Sequence, residues 1–169
     1  MSKELTSYQQ VFIEPGYIYL PTVPTNLYAV LGSCVSVCLW DKKLKIGGMN
    51  HFLYPSVSSK DKATSQYGNV ATLQLIQMME KAGAKTNSIF AQIVGGAVPP
   101  FNSKNKDIGK DNVEIARKIL RSKGIKIVSE DVGGNMGRKI VFNSYTGHIM
   151  VLKVYQIRKD DWILELPEE

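Results

Sequence analysis

The order of apolar and polar positions divides the chain into a readable series of elements. VFIEPGYIYL holds the first candidate strands, LYAVLGSCVSVCLW follows as a strong strand, and KIGGMNHFLY is another. PSVSSKDKATSQY is small and polar and reads as a loop. From Gly68 to Ala82 the pattern turns helical, with Gly83 as the stop. Val70, Leu73, Leu75, Ile76, Met78 and Met79 cover a wide face of that helix, which predicts deep burial. SIFAQIVGG is the next strand, and AVPPFNSKNKDIGK is a loop broken by its Pro-Pro pair. A second helix is predicted from about Asp111 to Lys123, with Val113, Ala116, Ile119 and Leu120 as its inner stripe. Asp111 followed by Glu114 resembles a capping box, and Gly124 ends the helix. IKIVSED, RKIVFNS and HIMVLKVY are strands, the last two joined by a hairpin turn at SYTGHI.

Strands, helix, strand, helix, strands is an α+β order. It predicts a layered sandwich of mostly antiparallel sheets flanked by helices. The 169 residues, without repeat or linker, suit one domain over 1–169. A composition of 44% hydrophobic and 21% charged residues is that of a globular protein. No apolar run reaches the ~18 residues that span a bilayer, and MSKELTSYQQ lacks the apolar core of a signal peptide, so the expected compartment is the cytoplasm. The net charge of +6 favours an acidic partner only weakly, because the lysines are scattered. Zinc-finger spacing, RNP-type aromatics and a basic helix block are all missing, which argues against nucleic acid.

The candidate chemistry lies in Cys34 and His51. There are two cysteines, Cys34 and Cys38, too few for a structural zinc site. Four positions apart on a strand they lie ~13 Å from each other, too far for a disulfide. Free thiols suit a reducing compartment. A tight hairpin through DKKLK that turns about Lys42 and Lys43 sets Cys34 directly opposite His51, with Cβ atoms roughly 4.5–5.5 Å apart. A three-residue loop, or a bulge at Gly47-Gly48, breaks that pairing. A thiol with pKa about 8.5 needs help to ionise, and a facing imidazole can take its proton to leave a thiolate–imidazolium pair. Gly32 and Ser33 allow a bend that aims the backbone N–H groups of Ser33 and Cys34 at a developing oxyanion. The plainer alternative is that both residues are core filler, the reading Cys38 receives. His148 is read as structural or surface. VGGNMGRK reads as a bent hairpin with Arg138 as a candidate anion contact, and IVGGA as either close backbone packing or ligand contact.

The blocks LGSCVSVCLWD, KIGGMNHFLYP, YGNVATLQLIQMMEKAGA, IVGGA, IGKDN and DVGGNMGRKIVF, in that order from about Glu14 to Val154, resemble the bacterial chemoreceptor glutamine deamidase family, CheD. The resemblance implies conversion of selected glutamines of methyl-accepting chemotaxis receptors to glutamate through a cysteine thioester. It implies a layered fold similar to the catalytic domain of cytotoxic necrotising factor toxins. It also implies receptor cytoplasmic helices as substrate, a CheC-type phosphatase as partner, and no metal or organic cofactor. By position, the family nucleophile falls on Cys34 and its histidine on His51. The family's third polar residue, often Thr, falls on Tyr28, so either Tyr28 or the nearby Thr25 is the candidate orienting residue. That departure keeps a second reading in view: a binding module with little or no turnover that docks to a CheC-like protein or a receptor helix.

Overall fold

A computed structural model of the chain describes residues 8–98 and 108–155. Its elements are β1 (Gln9–Phe12), β2 (Ile18–Tyr19), β3 (Thr25–Leu31), β4 (Val35–Asp41), β5 (Ile46–Asn50), α1 (Gly68–Lys81), β6 (Ile89–Gly95), α2 (Ile108–Ser122), β7 (Lys126–Val132), β8 (Gly137–Asn143) and β9 (Ile149–Val154). The order is the one the sequence predicts, with two differences. LYAVLGSCVSVCLW is two strands, β3 and β4, broken at Gly32-Ser33-Cys34. Asp111 lies inside the first turn of α2 and not at its cap. There it still opposes the positive end of the helix dipole. The Pro99–Pro100 pair of the predicted loop lies outside the described residues.

The strands form two sheets, β1-β3-β8-β9 and β2-β5-β4-β6-β7. Pairing is mostly antiparallel, but each sheet carries one parallel pair, β1 with β3 and β6 with β7, so both sheets are mixed. β4 lies at the centre of the five-stranded sheet. Its run VSVCLW is apolar but for the buried Ser36, because both faces are covered. Val35, Val37 and Leu39 face the helices and pack with Leu75, Ile76, Met79, Val113, Ala116 and Leu120. Cys38 and its partner Met49 face the other sheet and pack with Leu27, Leu31, Ile140 and Phe142. Helices, five-stranded sheet and four-stranded sheet thus form three layers around two cores. The buried stripe of α1 is Gly68, Ala71, Thr72, Leu75, Ile76 and Met79, narrower than the predicted face; Val70, Leu73 and Met78 are half-buried.

Where β3 and β4 belong to different sheets, the chain must cross between layers at Gly32-Ser33-Cys34. It crosses again from β1 to β2 through Ile13–Tyr17, and from β7 to β8 through Gly133–Met136. VGGNMGRK is therefore a crossover and not a hairpin. The strand directions bring these three crossings to one end of the sandwich, beside the C-terminal end of β6. There the backbone groups that leave the ladders find one another. Gly96 N–H donates to Cys34 O at 2.9 Å, Ala97 N–H to Gly32 O at 3.0 Å, Gly133 N–H to Gly95 O at 3.0 Å and Val98 N–H to Gly134 O at 2.7 Å. Of the two readings of IVGGA, the structure bears out close packing.

Gly95 has φ +112°, and a Cβ there would collide with the Cys34 carbonyl. Gly95→Ala combines left-handed strain with overpacking and is expected to cost at least about 2 kcal/mol. A urea unfolding midpoint equal to that of the parent protein would show that the crossing tolerates a side chain.

Candidate active site

The β4–β5 hairpin decides how Cys34 and His51 meet, and its turn is not centred where the sequence suggests. Asp41 Oδ1 accepts from Lys43 N–H at 2.9 Å and Leu44 N–H at 3.0 Å, and Lys45 N–H returns to Asp41 O at 2.8 Å with Lys45 at φ 54°. An aspartate that satisfies the amides two and three residues on selects a four-residue loop over Lys42–Lys45. Asp41 then pairs with Ile46 and Cys38 with Met49. Continued outward, this register sets Ser36 opposite His51 and Leu53 opposite Cys34. The expected direct opposition of Cys34 and His51 is corrected to a diagonal. A shift of two residues keeps a side chain on its face. Both residues therefore remain on the side toward the four-stranded sheet, at the diagonal spacing of roughly 7–8 Å between Cα atoms.

His51 is fully buried and held on three sides by one segment. Its N–H donates to Tyr17 O at 3.0 Å, its O accepts from Gly16 N–H at 2.7 Å, and its Nδ1 lies 2.9 Å from Ile13 O. Glu14-Pro15-Gly16-Tyr17 is a type II turn, with Tyr17 N–H on Glu14 O at 3.1 Å and Gly16 at φ +91°. A carbonyl only accepts, so Nδ1 carries the proton and Nε2 presents a lone pair. Nε2 is buried and without a hydrogen-bond partner among the described residues. Ring orientation thus comes from the Ile13 carbonyl and not from Tyr28 or Thr25. Tyr28 contributes through its backbone, as its O accepts from Ile13 N–H at 2.7 Å. Thr25 lies at the far end of β3, where its hydroxyl donates to Val23 O at 2.8 Å.

Cys34 is half-buried at the crossing and its side chain packs against the sheet–sheet core. Its carbonyl is held by Gly96, as described, and the preceding carbonyl, Ser33 O, accepts from Asn112 Nδ2 at 2.9 Å. The same nitrogen donates to Leu53 O at 3.0 Å. Burial pushes the Cys34 thiol up to about 11, with its own backbone N–H acting weakly in the opposite direction. Burial also holds His51 below its usual value, partly offset by the Ile13 carbonyl. Near neutral pH the resting site is therefore a thiol beside a neutral imidazole, and not the preformed thiolate–imidazolium pair the sequence suggested. Cys38 is fully buried, and its thiol is pushed up further by desolvation alone.

The other candidates resolve as structure. Arg138 is buried, with Nη2 on Asp131 Oδ1 at 3.1 Å and Nη1 on Met136 O at 2.9 Å, so it ties β8 to β7 instead of awaiting an anion. His148 is exposed in the β8–β9 turn. Among the described residues no three His, Cys, Asp or Glu side chains gather in a metal-binding group. A groove of about 620 Å³ runs between the Pro15–Ile18 turn and α1, so it borders the backbone that holds His51 without reaching Cys34. Sequence reasoning missed two groups, the Ile13 carbonyl and Asn112. The first had no side-chain signal. The second had one, a polar residue on the inner stripe of α2 beside Val113 and Ala116.

Comparison with known proteins agrees with the resemblance. A family model described as CheD chemotactic sensory transduction matches residues 54–153. A probable chemoreceptor glutamine deamidase CheD of Sulfurimonas denitrificans is 40% identical over 146 residues, 85% of this chain and 94% of that protein. One of Trichlorobacter lovleyi is 36% identical over 85% of this chain and 89% of its own length. The chemoreceptor glutamine deamidase CheD of Thermotoga maritima is 41% identical over 73% of this chain and 78% of its own. The family match begins past Cys34 and His51, but an alignment over 85% of the chain cannot miss the segment between them.

The raised thiol pKa has a direct reading. With His51→Ala removing the base, alkylation of Cys34 by iodoacetamide is expected to stay slow at neutral pH and to climb only as pH approaches about 11. Cys38 is expected to stay unlabelled in the folded protein, and fast neutral-pH labelling of Cys34 in that variant would contradict the assigned environment.

Proposed function

The chain belongs to the CheD family, and on that premise we propose that it is a protein-glutamine deamidase that converts selected glutamines of chemotaxis receptors to glutamate, with Cys34 as nucleophile and His51 as general base. The observation that carries the residue assignment is the buried, unpartnered lone pair of His51 Nε2 on the same sheet face as the Cys34 thiol. The carbonyl-locked tautomer leaves Nε2 no role but that of acceptor.

The reaction follows from a neutral pair. A glutamine side chain enters with its carboxamide carbon at the Cys34 sulfur. As sulfur attacks, its proton passes to Nε2, and the backbone N–H groups of Ser33 and Cys34 receive the developing oxyanion. Collapse breaks the C–N bond, the imidazolium returns the proton to the leaving nitrogen, and ammonia departs from a thioester. Water then gives a proton to Nε2 and attacks the thioester carbon. The carboxylic acid leaves and Cys34 regains its proton. Starting from thiol and imidazole avoids the cost of holding two charges in a desolvated site before substrate arrives.

Tyr28 in place of the family's usual Thr does not favour the binding-module alternative, because neither ring nitrogen of His51 depends on that position. Receptor cytoplasmic helices as substrate, a CheC-type phosphatase as partner, work in the cytoplasm and a kinship of fold with the cytotoxic necrotising factor catalytic domain belong to the same proposal. Among the described residues no helix is long and apolar enough to cross a membrane.

Incubation with a receptor cytoplasmic fragment is expected to add about 1 Da at particular glutamines, read by mass spectrometry, and Cys34→Ala is expected to abolish the gain. His51→Ala is expected to lower kcat/KM by about 10²–10⁴-fold. Because His51 must be neutral to act and burial lowers its pKa, kcat/KM is expected to fall only below about pH 6.5 as pH decreases. Unmodified glutamines with a cognate receptor would sink the activity, and an acid limb above that value would sink the role of His51.

A further inference from the structure

At the level of Cys34 and Leu53 the two strands of the hairpin part. The ladder has already loosened three residue pairs inward, where Val37 N–H donates to the Asn50 side chain at 2.8 Å. It closes once more through the Val35–Phe52 bridge. Beyond that, Leu53 N–H turns to Gln66 O at 2.9 Å, and Cys34 O turns to Gly96 N–H. Past that bridge, among the described residues, the segment that carries the nucleophile and the one that follows the histidine are joined by the Asn112 amide. Its Nδ2 spends both hydrogens, one on Ser33 O and one on Leu53 O. A side chain this short reaches both carbonyls because α2 lies against the backbone. Gly109, one turn earlier, would put a Cβ 2.6 Å from Gly96 O, and Gly96 would put one 2.5 Å from Val113 Cγ2.

We propose that Asn112 is a positioning residue of the active site, a clasp that, beyond the Val35–Phe52 bridge, holds the Ser33–Cys34 segment against Leu53 and so fixes where Cys34 sits relative to His51. It touches neither substrate nor reacting atom. It acts on the residue before the nucleophile and on the second residue after the base. This assignment rests on the proposed roles of Cys34 and His51, and the family likeness by itself says nothing about it. It accounts for three features together: a polar residue on the apolar stripe of α2, Gly109 beneath it, and Gly96 just after β6.

The test separates the clasp from the reaction. His51 can take the thiol proton as iodoacetamide reacts, so the parent's Cys34 is expected to alkylate faster at neutral pH than that of His51→Ala although the resting pair is neutral. In Asn112→Ala, which suits a helix interior, that excess is expected to be lost, an assay that needs no receptor. With receptor fragment, kcat is expected to drop about 100-fold with KM within about twofold, the mark of misplacement without lost binding. Asn112→Gln, which keeps both donors, is expected to restore part of kcat. A folded Asn112→Ala with parental alkylation and kcat overturns the proposal. Should that variant fail to fold, Asn112→Asp, the same shape without the donors, carries the same readouts; failure of both to fold makes Asn112 a stability residue and also overturns it. A parent protein that leaves receptor glutamines unchanged refutes the deamidase reading, while the alkylation comparison still decides Asn112.

Discussion

The structure depends on one constraint: a chain that moves between two packed sheets must leave its ladders, and every N–H and C=O released at the crossing needs a new partner. Three crossings occur at the same end of this sandwich. Their loose backbone groups are satisfied mainly by each other, as Cys34, Gly96, Gly32, Ala97, Gly95 and Gly133 show. The result is a hydrogen-bonded knot of main chain with little side-chain bulk. Such a place can hold a half-buried cysteine on a backbone whose hydrogen bonds are met, which is what a nucleophile would require.

Burial at this end of the sandwich sets the electrostatics of the site. Removing water disfavours thiolate and imidazolium alike, and both pKa values move toward the neutral forms. No carboxylate is called upon to orient the imidazole. The Ile13 carbonyl performs that task without adding charge, and the type II turn at Pro15-Gly16 delivers it. A carbonyl orients the ring as a carboxylate does but supports the imidazolium less. In the proposed mechanism the site therefore favours a proton that is passed on as soon as it is taken.

Family membership and geometry bear on different questions. The relatives carry the name of the activity, and the family match covers the helices and the strands from Tyr54 onward. The arrangement of Cys34, His51, Ile13 and Asn112 speaks to how this chain can perform it. The helical layer, which the family match spans, reaches the site through Asn112.

Local pattern by itself determined most of the elements: both helices with their glycine stops, the strands and the α+β order; it also singled out Cys34 and His51 as the candidate pair. Period and turn chemistry act within a few residues, so they are legible in a string of letters. It could not determine that LYAVL and VSVCLW belong to different sheets, since an apolar run looks alike whichever layer it joins. Nor could it settle the hairpin register, where Asp41 competed with the Lys42-Lys43 centre through two hydrogen bonds that only the folded turn displays. The partners of His51 and of the Cys34 segment were also beyond it. Ile13 acts through a carbonyl that every residue possesses, and Asn112 acts from a helix 61 residues downstream of His51. Only the packing of layers brings such groups together, because the forces that choose them are contacts between segments that the sequence lists far apart.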